Sequence, residues 1–287
     1  MREGDWRDFR LYAITAENNH PGRDMIAVME QTLIGGADIV QLRNKTGSER
    51  QVLEQAIALR ELTRAYGVPL IVNDYPHIAL QADADGVHLG QEDMTVAEAR
   101  ALLGPERIIG KSTHNLEQAL TAEADGADYI GVGPVFPTDT KPGRQAVTTS
   151  YVREAASRIA IPFVAIGGIT LSNVDAVLKA GATRICSVSA IVGSDDPAAV
   201  CRAMKEKILT ADQGAGPGCD GSLALKVNGK MVHSSASTME DLIEELGQGN
   251  KRIVVELNGS IVAREAWRDT ALSSEAEIEL VQFVGGG

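Results

Sequence analysis

Glu49-Arg-Gln-Val-Leu-Glu-Gln-Ala-Ile-Ala-Leu-Arg-Glu-Leu-Thr-Arg-Ala-Tyr66 runs through Gly67-Val68-Pro69 into Leu70-Ile-Val-Asn-Asp74. Val52, Leu53, Ala56 and Leu59 share one face at the helical period, and the Gly67–Pro69 step closes that helix. Leu70–Val72 is a short apolar run that stops at two polar residues, as a buried strand does. A helix, a glycine stop and a strand with a polar end make one period of βα alternation.

The same period recurs on both sides. Leu11–Ile14 ends in Thr15, and Ile39–Val40 runs into Gln41 and Arg43. Val87–Leu89 leads to Gln91 and Asp93, Ile108–Ile109 to Lys111 and Ser112, and Tyr129–Val132 to Gly133. Phe163–Ile166 ends in Gly167–Gly168 and Ile185–Val188 in Ser189, which makes eight strand candidates with Leu70–Val72. Asn115 is placed to cap a helix to Ala124 with Gly126 as its stop, and Ser172 or Asn173 one through Leu178 to Gly181. Eight units favour a closed barrel over an open doubly wound sheet, and no G-x-G-x-x-G follows the first strand. In a barrel all strands end on one rim, so these scattered polar residues converge on one mouth.

The pattern changes after the last helix, Pro197–Leu209. Residues 211–221 are Gly-rich without periodicity, the composition of a flexible linker. Beyond it, Leu223–Val227, Asn228-Gly229 and Met231–His233 form a hairpin. Ser237 and Glu240 make a capping-box signature for a helix through Leu246, stopped by Gly247. Ile253–Leu257, a second Asn258-Gly259 turn, Ile261–Ala263 and Ile278–Val284 complete a β-grasp pattern. The expected fold class is α/β: a (β/α)8 TIM barrel over 1–210, a linker over 211–221, and a small β-grasp, ubiquitin-like domain over 222–287.

The formal net charge is −12. From Ser222 onward 6 Lys/Arg stand against 10 Asp/Glu, leaving 21 against 29 in the rest, so neither part is basic. That argues against nucleic acid as a partner. No apolar run approaches the roughly 18 residues of a membrane span, and Met1–Arg10 is too charged for a signal sequence. Cys186, Cys201 and Cys219 lack metal-ligand spacing, and the expected compartment is a reducing cytoplasm with no membrane partner.

At the mouth, Arg43, Lys45 and the Gln41 amide on one short segment suit an oxyanion of more than one charge, or are solvated surface groups. Asp74 and Asp93 offer an oxygen-only site suited to Mg²⁺ shared with phosphate, or cap helices, Asp93 preceding Thr95–Leu103. Thr138-Asp139-Thr140-Lys141-Pro142-Gly143 can wrap a phosphorylated ligand or form a plain turn. Gly167-Gly168-Ile169 and Ser187-Val188-Ser189-Ala190 end the last two strands, where barrels hold phosphate on backbone N–H groups. Close helix–strand packing is the other reading of those glycines. His88 and His114 are each a lone His, whose bland reading is structural. Two anionic groups on opposite sides of one mouth suit expulsion of pyrophosphate and capture of the resulting cation by a neutral nitrogen, with little acid/base help.

Tyr12-Ala-Ile-Thr15, Gln41-Leu-Arg-Asn-Lys45, Val72-Asn-Asp74, Gly86-Val-His-Leu-Gly-Gln-Glu-Asp93, Gly110-Lys-Ser112, Phe136-Pro-Thr-Asp-Thr-Lys141 and Ala165-Ile-Gly-Gly-Ile169 together resemble thiamine-phosphate synthase. The resemblance spans about Leu11 to Ile191. It implies coupling of hydroxymethylpyrimidine pyrophosphate to thiazole phosphate, with Mg²⁺ as cofactor and pyrophosphate released. By motif it assigns Gln41, Leu42, Arg43, Asn44, Lys45, Asn73, Ser112 and Lys141 to the pyrimidine pyrophosphate, and Asp74 and Asp93 to the metal. Thr138, Thr140, Gly168, Val188 and Ser189 would meet the thiazole phosphate, and Asp139 is counted with the substrate-binding residues of the same loop. Arg43, Lys45, Ser112 and Lys141 form the implied catalytic set. The competing barrel reading is a thiazole tautomerase, which uses a His in the segment of His114.

Val254-Val-Glu-Leu-Asn-Gly-Ser-Ile-Val262, Glu265-Ala-Trp267 and the terminal glycines resemble the sulfur-carrier protein of thiazole synthesis. That resemblance implies a Gly286-Gly287 tail activated to a thiocarboxylate, with an adenylating enzyme and thiazole synthase as partners. A ubiquitin-like module that only recruits partners is the alternative. The combined expectation is a bifunctional thiamine-biosynthesis protein.

Overall fold

In the computed structural model the described residues are 5–16, 22–138, 146–214, 223–234, 236, 238–248, 253–273 and 276–282. The chain divides into two compact units, Met1–Gly214 and Ala215–Gly287.

The first unit is a closed parallel barrel with its strands in chain order. They are β1 (Leu11–Ile14), β2 (Ile39–Leu42), β3 (Leu70–Asn73), β4 (Gly86–Leu89), β5 (Ile108–Thr113), β6 (Tyr129–Val132), β7 (Phe163–Ile166) and β8 (Ile185–Cys186). Closure is made by β8 on β1, with Leu11 opposite Ile185 and Tyr12 opposite Cys186. The outer helices are α1 (Met25–Ile34), α2 (Glu49–Tyr66), α3 (Pro76–Gln81), α4 (Val96–Leu103), α5 (Leu116–Ala124), α6 (Thr148–Arg158), α7 (Val174–Leu178), α8 (Ser189–Val192) and α9 (Pro197–Gly214). α2 starts at a Ser48/Gln51 capping box and ends at Gly67 in the left-handed conformation, φ 66°. α9 continues through Gly214, so residues 211–214 of the expected linker are helical. The rest of that expected linker, 215–221, lies outside the described residues.

Strand alternation divides the core in two. Leu11, Val40, Leu42, Leu70, Val72, Val87 and Leu89 face the helices. Tyr12, Ile14, Ile39, Ile71, Ile108, Tyr129 and Val164 fill the barrel interior, where Phe9 joins them. The floor is aromatic: Trp6 meets Tyr129 edge-on at 6.2 Å, and Phe9 meets Tyr12 at 6.0 Å.

Three aspartates clasp the opposite rim. Each precedes an even-numbered strand and exchanges two hydrogen bonds with the first or second residue of the strand before it. The carboxylates of Asp38, Asp85 and Asp128 accept from the N–H groups of Leu11, Leu70 and Ile109 at 3.0, 2.8 and 2.8 Å. Their own N–H groups donate back to the carbonyls of those three residues. A helix cation neutralises each: Lys205 at 2.6 Å, Arg60 at 2.6 Å and Arg100 at 2.5 Å.

The second unit comprises β9 (Leu223–Val227), β10 (Lys230–Ser234), α10 (Met239–Glu245), β11 (Ile253–Leu257), β12 (Ser260–Val262) and β13 (Glu277–Gln282). Its sheet order is β10-β9-β13-β11-β12, with β13 parallel to β9 and the other pairs antiparallel. Both hairpins turn at Asn-Gly pairs with positive φ, the chemistry of a type I′ turn. One side of the sheet packs Leu225, Val255 and Ile278 on Met239, Leu242 and Ile243 of α10, with Trp267. The capping box is Thr238 with Asp241, not Ser237 with Glu240. This Thr-x-x-Asp pair, one residue later, serves the N–H groups of Thr238 and Asp241, while Glu240 pairs with Arg268 at 2.9 Å. Ser237 lies outside the described residues. No helix among the described residues is long and apolar enough to cross a membrane.

Candidate functional site

A cavity of about 880 Å³, its opening to solvent included, lies at the C-terminal ends of the strands. Gln41, Arg43, Asn73, Ser112, Thr138, Gly168, Val188 and Ser189 all line it, as do His88 and His114. These residues come from seven different strand ends or the loops that follow them, so the convergence is a product of closure.

Arg43 is positioned by Thr15, whose Oγ1 accepts from the Arg43 N–H at 2.8 Å and donates to its carbonyl at 3.1 Å. Its guanidinium Nε is buried with no hydrogen-bond partner among the described residues. A buried cationic donor left unpaired favours an anion in this cavity. Leu42 and Asn44 do not line the cavity. Strand alternation sends Leu42 into the core beneath the helices. Asn44 builds the turn into α2: its Oδ1 accepts from the N–H groups of Thr46 and Gly47 at 3.1 and 2.6 Å, and its amide donates to Gln55.

Lys45, Asp74 and Asp93, from the loops that follow β2, β3 and β4, form a second cluster. Lys45 bonds Asp74, and the two carboxyl groups bond each other. Burial pushes Asp74 above the usual carboxylate range, Lys45 opposing and Asp93 reinforcing the shift. Burial also acts to raise Asp93, but the bond from Asp74, the Gly90 N–H at 2.6 Å and the charges of Lys45 and Lys111 outweigh it and hold Asp93 low. Two oxygen-donor side chains thus stand in contact with opposite shifts, beside the Lys45 ammonium. Neither is a helix cap. α4 is capped by Thr95 with Glu98, and α3 starts at Tyr75 without a side-chain cap. Asp74 instead takes a left-handed backbone, φ 67°, and its N–H donates to the His88 carbonyl at 2.9 Å.

Gly167 and Gly168 serve close packing as well as lining. A Cβ on Gly167 would meet Pro134 at 2.4 Å, and one on Gly168 would meet the Pro137 carbonyl at 2.5 Å. Asn173 does not use its side chain as a cap: its Oδ1 accepts from Thr170 N–H, and its Nδ2 donates to the Gly168 carbonyl at 2.9 Å. That bond fixes the glycine turn beside the cavity. Asp139, Thr140, Lys141, Gly286 and Gly287 lie outside the described residues.

Tyr12 and Tyr129, which sequence reasoning did not single out, also line the cavity, hydrogen-bonded to each other and to Gln41 and His88. Large aromatic residues at inward positions of β1 and β6 were the available signal.

The thiamine monophosphate synthase family pattern matches residues 11–191, and the ThiS family pattern matches 224–287. The thiamine-phosphate synthase of Halalkalibacterium halodurans is 55% identical over 196 residues, covering 68% of this chain and 93% of that protein. That of Shouchella clausii is 53% identical over 208 residues, 72% of this chain and all of that one. The solved thiamine phosphate pyrophosphorylase of Pyrococcus furiosus superposes with a TM-score of 0.66 at 37% identity, covering 72% of this chain and 98% of its own. The barrel's order, its lined mouth and these likenesses agree, and the chain belongs to the thiamine monophosphate synthase family, with a ThiS-family domain behind the barrel.

Proposed function

We propose that the barrel, which has thiamine-phosphate synthase activity, joins a pyrimidine pyrophosphate to a thiazole phosphate at the cavity just described. The pyrimidine CH₂–O bond breaks and its electron pair leaves on pyrophosphate. The thiazole nitrogen then gives its lone pair to the freed CH₂ cation, and no proton need move. What the protein must supply is charge stabilisation on the leaving group and alignment of the nucleophile. Arg43 and Ser112 donate to the pyrophosphate, with Asn73 and the Gln41 amide on the pyrimidine side. Lys45 extends from Asp74 to the same anion, and Lys141 completes the clamp from the loop after β6. Thr138, Thr140, Gly168, Val188 and Ser189 would hold the thiazole phosphate.

Asp74 and Asp93 fit a magnesium ion. They are hard oxygen donors in contact, and burial disfavours the charge that a cation would stabilise. Bound there, Mg²⁺ would neutralise the pyrophosphate charge. The observation that carries the proposal is the buried, unpartnered Arg43 Nε in a cavity shared with Ser112 and Asn73. The test is pyrophosphate release by the full chain with both substrates and Mg²⁺. Arg43→Ala should lower kcat by about 10²–10³, and an unchanged rate contradicts the assignment. Activity with the pyrimidine pyrophosphate also separates this reading from a tautomerase.

The C-terminal unit carries sulfur. Its tail carboxylate at Gly287 would react with ATP on an adenylating enzyme, releasing pyrophosphate, and sulfide from a donor would displace AMP to leave a thiocarboxylate for thiazole synthase. The ThiS match through residue 287 supports this. Mass spectrometry after incubation with such an enzyme, ATP and a sulfur donor should show one oxygen-to-sulfur exchange. An unchanged mass beside a competent control would mark a recruiting module.

A further inference from the structure

A chain of hydrogen bonds crosses the barrel interior above the aromatic floor. Gln41 Nε2 donates to Tyr12 Oη at 3.0 Å, and the hydroxyls of Tyr12 and Tyr129 are 2.8 Å apart. Tyr129 Oη lies 3.0 Å from His88 Nδ1, and His88 Nε2 lies 2.9 Å from Ser112 Oγ. The five side chains come from β2, β1, β6, β4 and β5, and all of them border the cavity. Tyr129 is fully buried and sits where a Gly110 Cβ would be, 2.2 Å from its Cζ. No bulkier residue at 110 leaves the ring in place.

The donor count gives this chain a direction. An amide nitrogen only donates, so Tyr12 accepts from Gln41 and has its own proton for Tyr129. Tyr129 in turn has its proton for His88 Nδ1. Burial keeps both phenols protonated, so neither link is lost at neutral pH. A neutral imidazole that accepts at Nδ1 carries its hydrogen on Nε2, and that hydrogen goes to Ser112 Oγ. The serine proton is then left for a ligand oxygen.

We infer that Tyr12, Tyr129 and His88 are positioning residues whose one-way chain fixes His88 as the Nε2–H tautomer and turns the Ser112 hydroxyl outward as a donor to the leaving pyrophosphate. The same direction leaves the Gln41 amide oxygen as an acceptor facing the pyrimidine. A chain running the other way would take the Ser112 proton for His88 and present a lone pair to a phosphate oxygen. Successive bonds of one sense also polarise each other, which strengthens the terminal donor. The inference rests on Ser112 meeting the pyrophosphate-bearing substrate.

Two measurements test it. In the full chain labelled with ¹⁵N-histidine, long-range ¹⁵N–¹H correlation reads the His88 ring nitrogens, assigned by their loss in His88→Asn. Protonated Nε2 with bare Nδ1 is expected, and in Tyr129→Phe the Nδ1 signal should move toward that of a nitrogen without a donor. A protonated Nδ1 overturns the inference. In kinetics, Tyr129→Phe keeps the ring on Gly110 and should lower kcat about fivefold with KM little changed. Tyr12→Phe is the second variant with the same expectation. Ser112→Ala should lose more, and adding Tyr129→Phe to it should cost nothing further. Additive losses would mean the phenol does not act through Ser112. If the unaltered chain releases no pyrophosphate, the substrate assignment fails, whereas the nitrogen spectra still decide the direction of the chain.

Discussion

Arg43 and Lys45 are two residues apart and differ in environment. Arg43 lines the cavity with its Nε shut off from solvent, whereas Lys45 is 46% exposed and occupied by Asp74. Arg43→Lys is accordingly not conservative, because an ammonium cannot supply the planar fork that meets two phosphate oxygens. It should recover less than a tenth of the rate, as steady-state assays with saturating substrates will show. Lys45→Ala should chiefly raise KM for the pyrophosphate substrate, its charge being shared with solvent. At the acidic pair, Asp74→Asn removes a buried charge and a cation ligand together. Thermal melts should show Mg²⁺ stabilising the original chain by mass action and leaving Asp74→Asn nearly unmoved. An equal shift in both would place the ion elsewhere.

Among the elements, the two rims divide stability from chemistry. Asp85 ties β3 to β4 and pairs with Arg60 on α2, far along the strands from Asn73 and Asp74. Asp85→Ala should destabilise by about 2 kcal/mol, the order of a charge-assisted bond lost with its partner left behind, while kcat and KM of the folded fraction stay unchanged. α9 packs on the end of α1 so closely that a Cβ on Gly35 would lie 2.5 Å from Cys201 Cβ and 2.6 Å from the Ala198 carbonyl. Burial there pushes the Cys201 thiol up to about 12. Its folded pKa stands above the unfolded value of about 8.5, so this contribution to stability is complete below that value. It is lost as pH rises toward the folded pKa, and Cys201→Ala should flatten that alkaline slope in denaturant titrations. The strands and α2 were legible because inward and outward apolar sets and cap residues are local signals. Leu42 and Asn44 show where motif reading stops: a contiguous run assigns neighbours alike, but alternation and turn chemistry send them elsewhere. The rim aspartates and the Tyr12–Tyr129 pair escaped notice because their partners come from other strands.

At the scale of the whole molecule, a transferase barrel and a ThiS-family β-grasp share one chain. Each unit has its own apolar core, with Leu225, Val255 and Ile278 in the second having no part in the barrel's. The central claim concerns the barrel: pyrophosphate leaves into a clamp of Arg43, Ser112 and a cation on Asp74 and Asp93. The direct measurement is simultaneous quantitation of pyrophosphate and thiamine phosphate formed by the full chain, with Mg²⁺ and after its removal by a chelator. The account predicts the two products in equal amounts with Mg²⁺ and a collapse of both without it. Full-rate coupling in the chelated sample, or product formation undiminished in Asp74→Asn with Asp93→Asn, would contradict it.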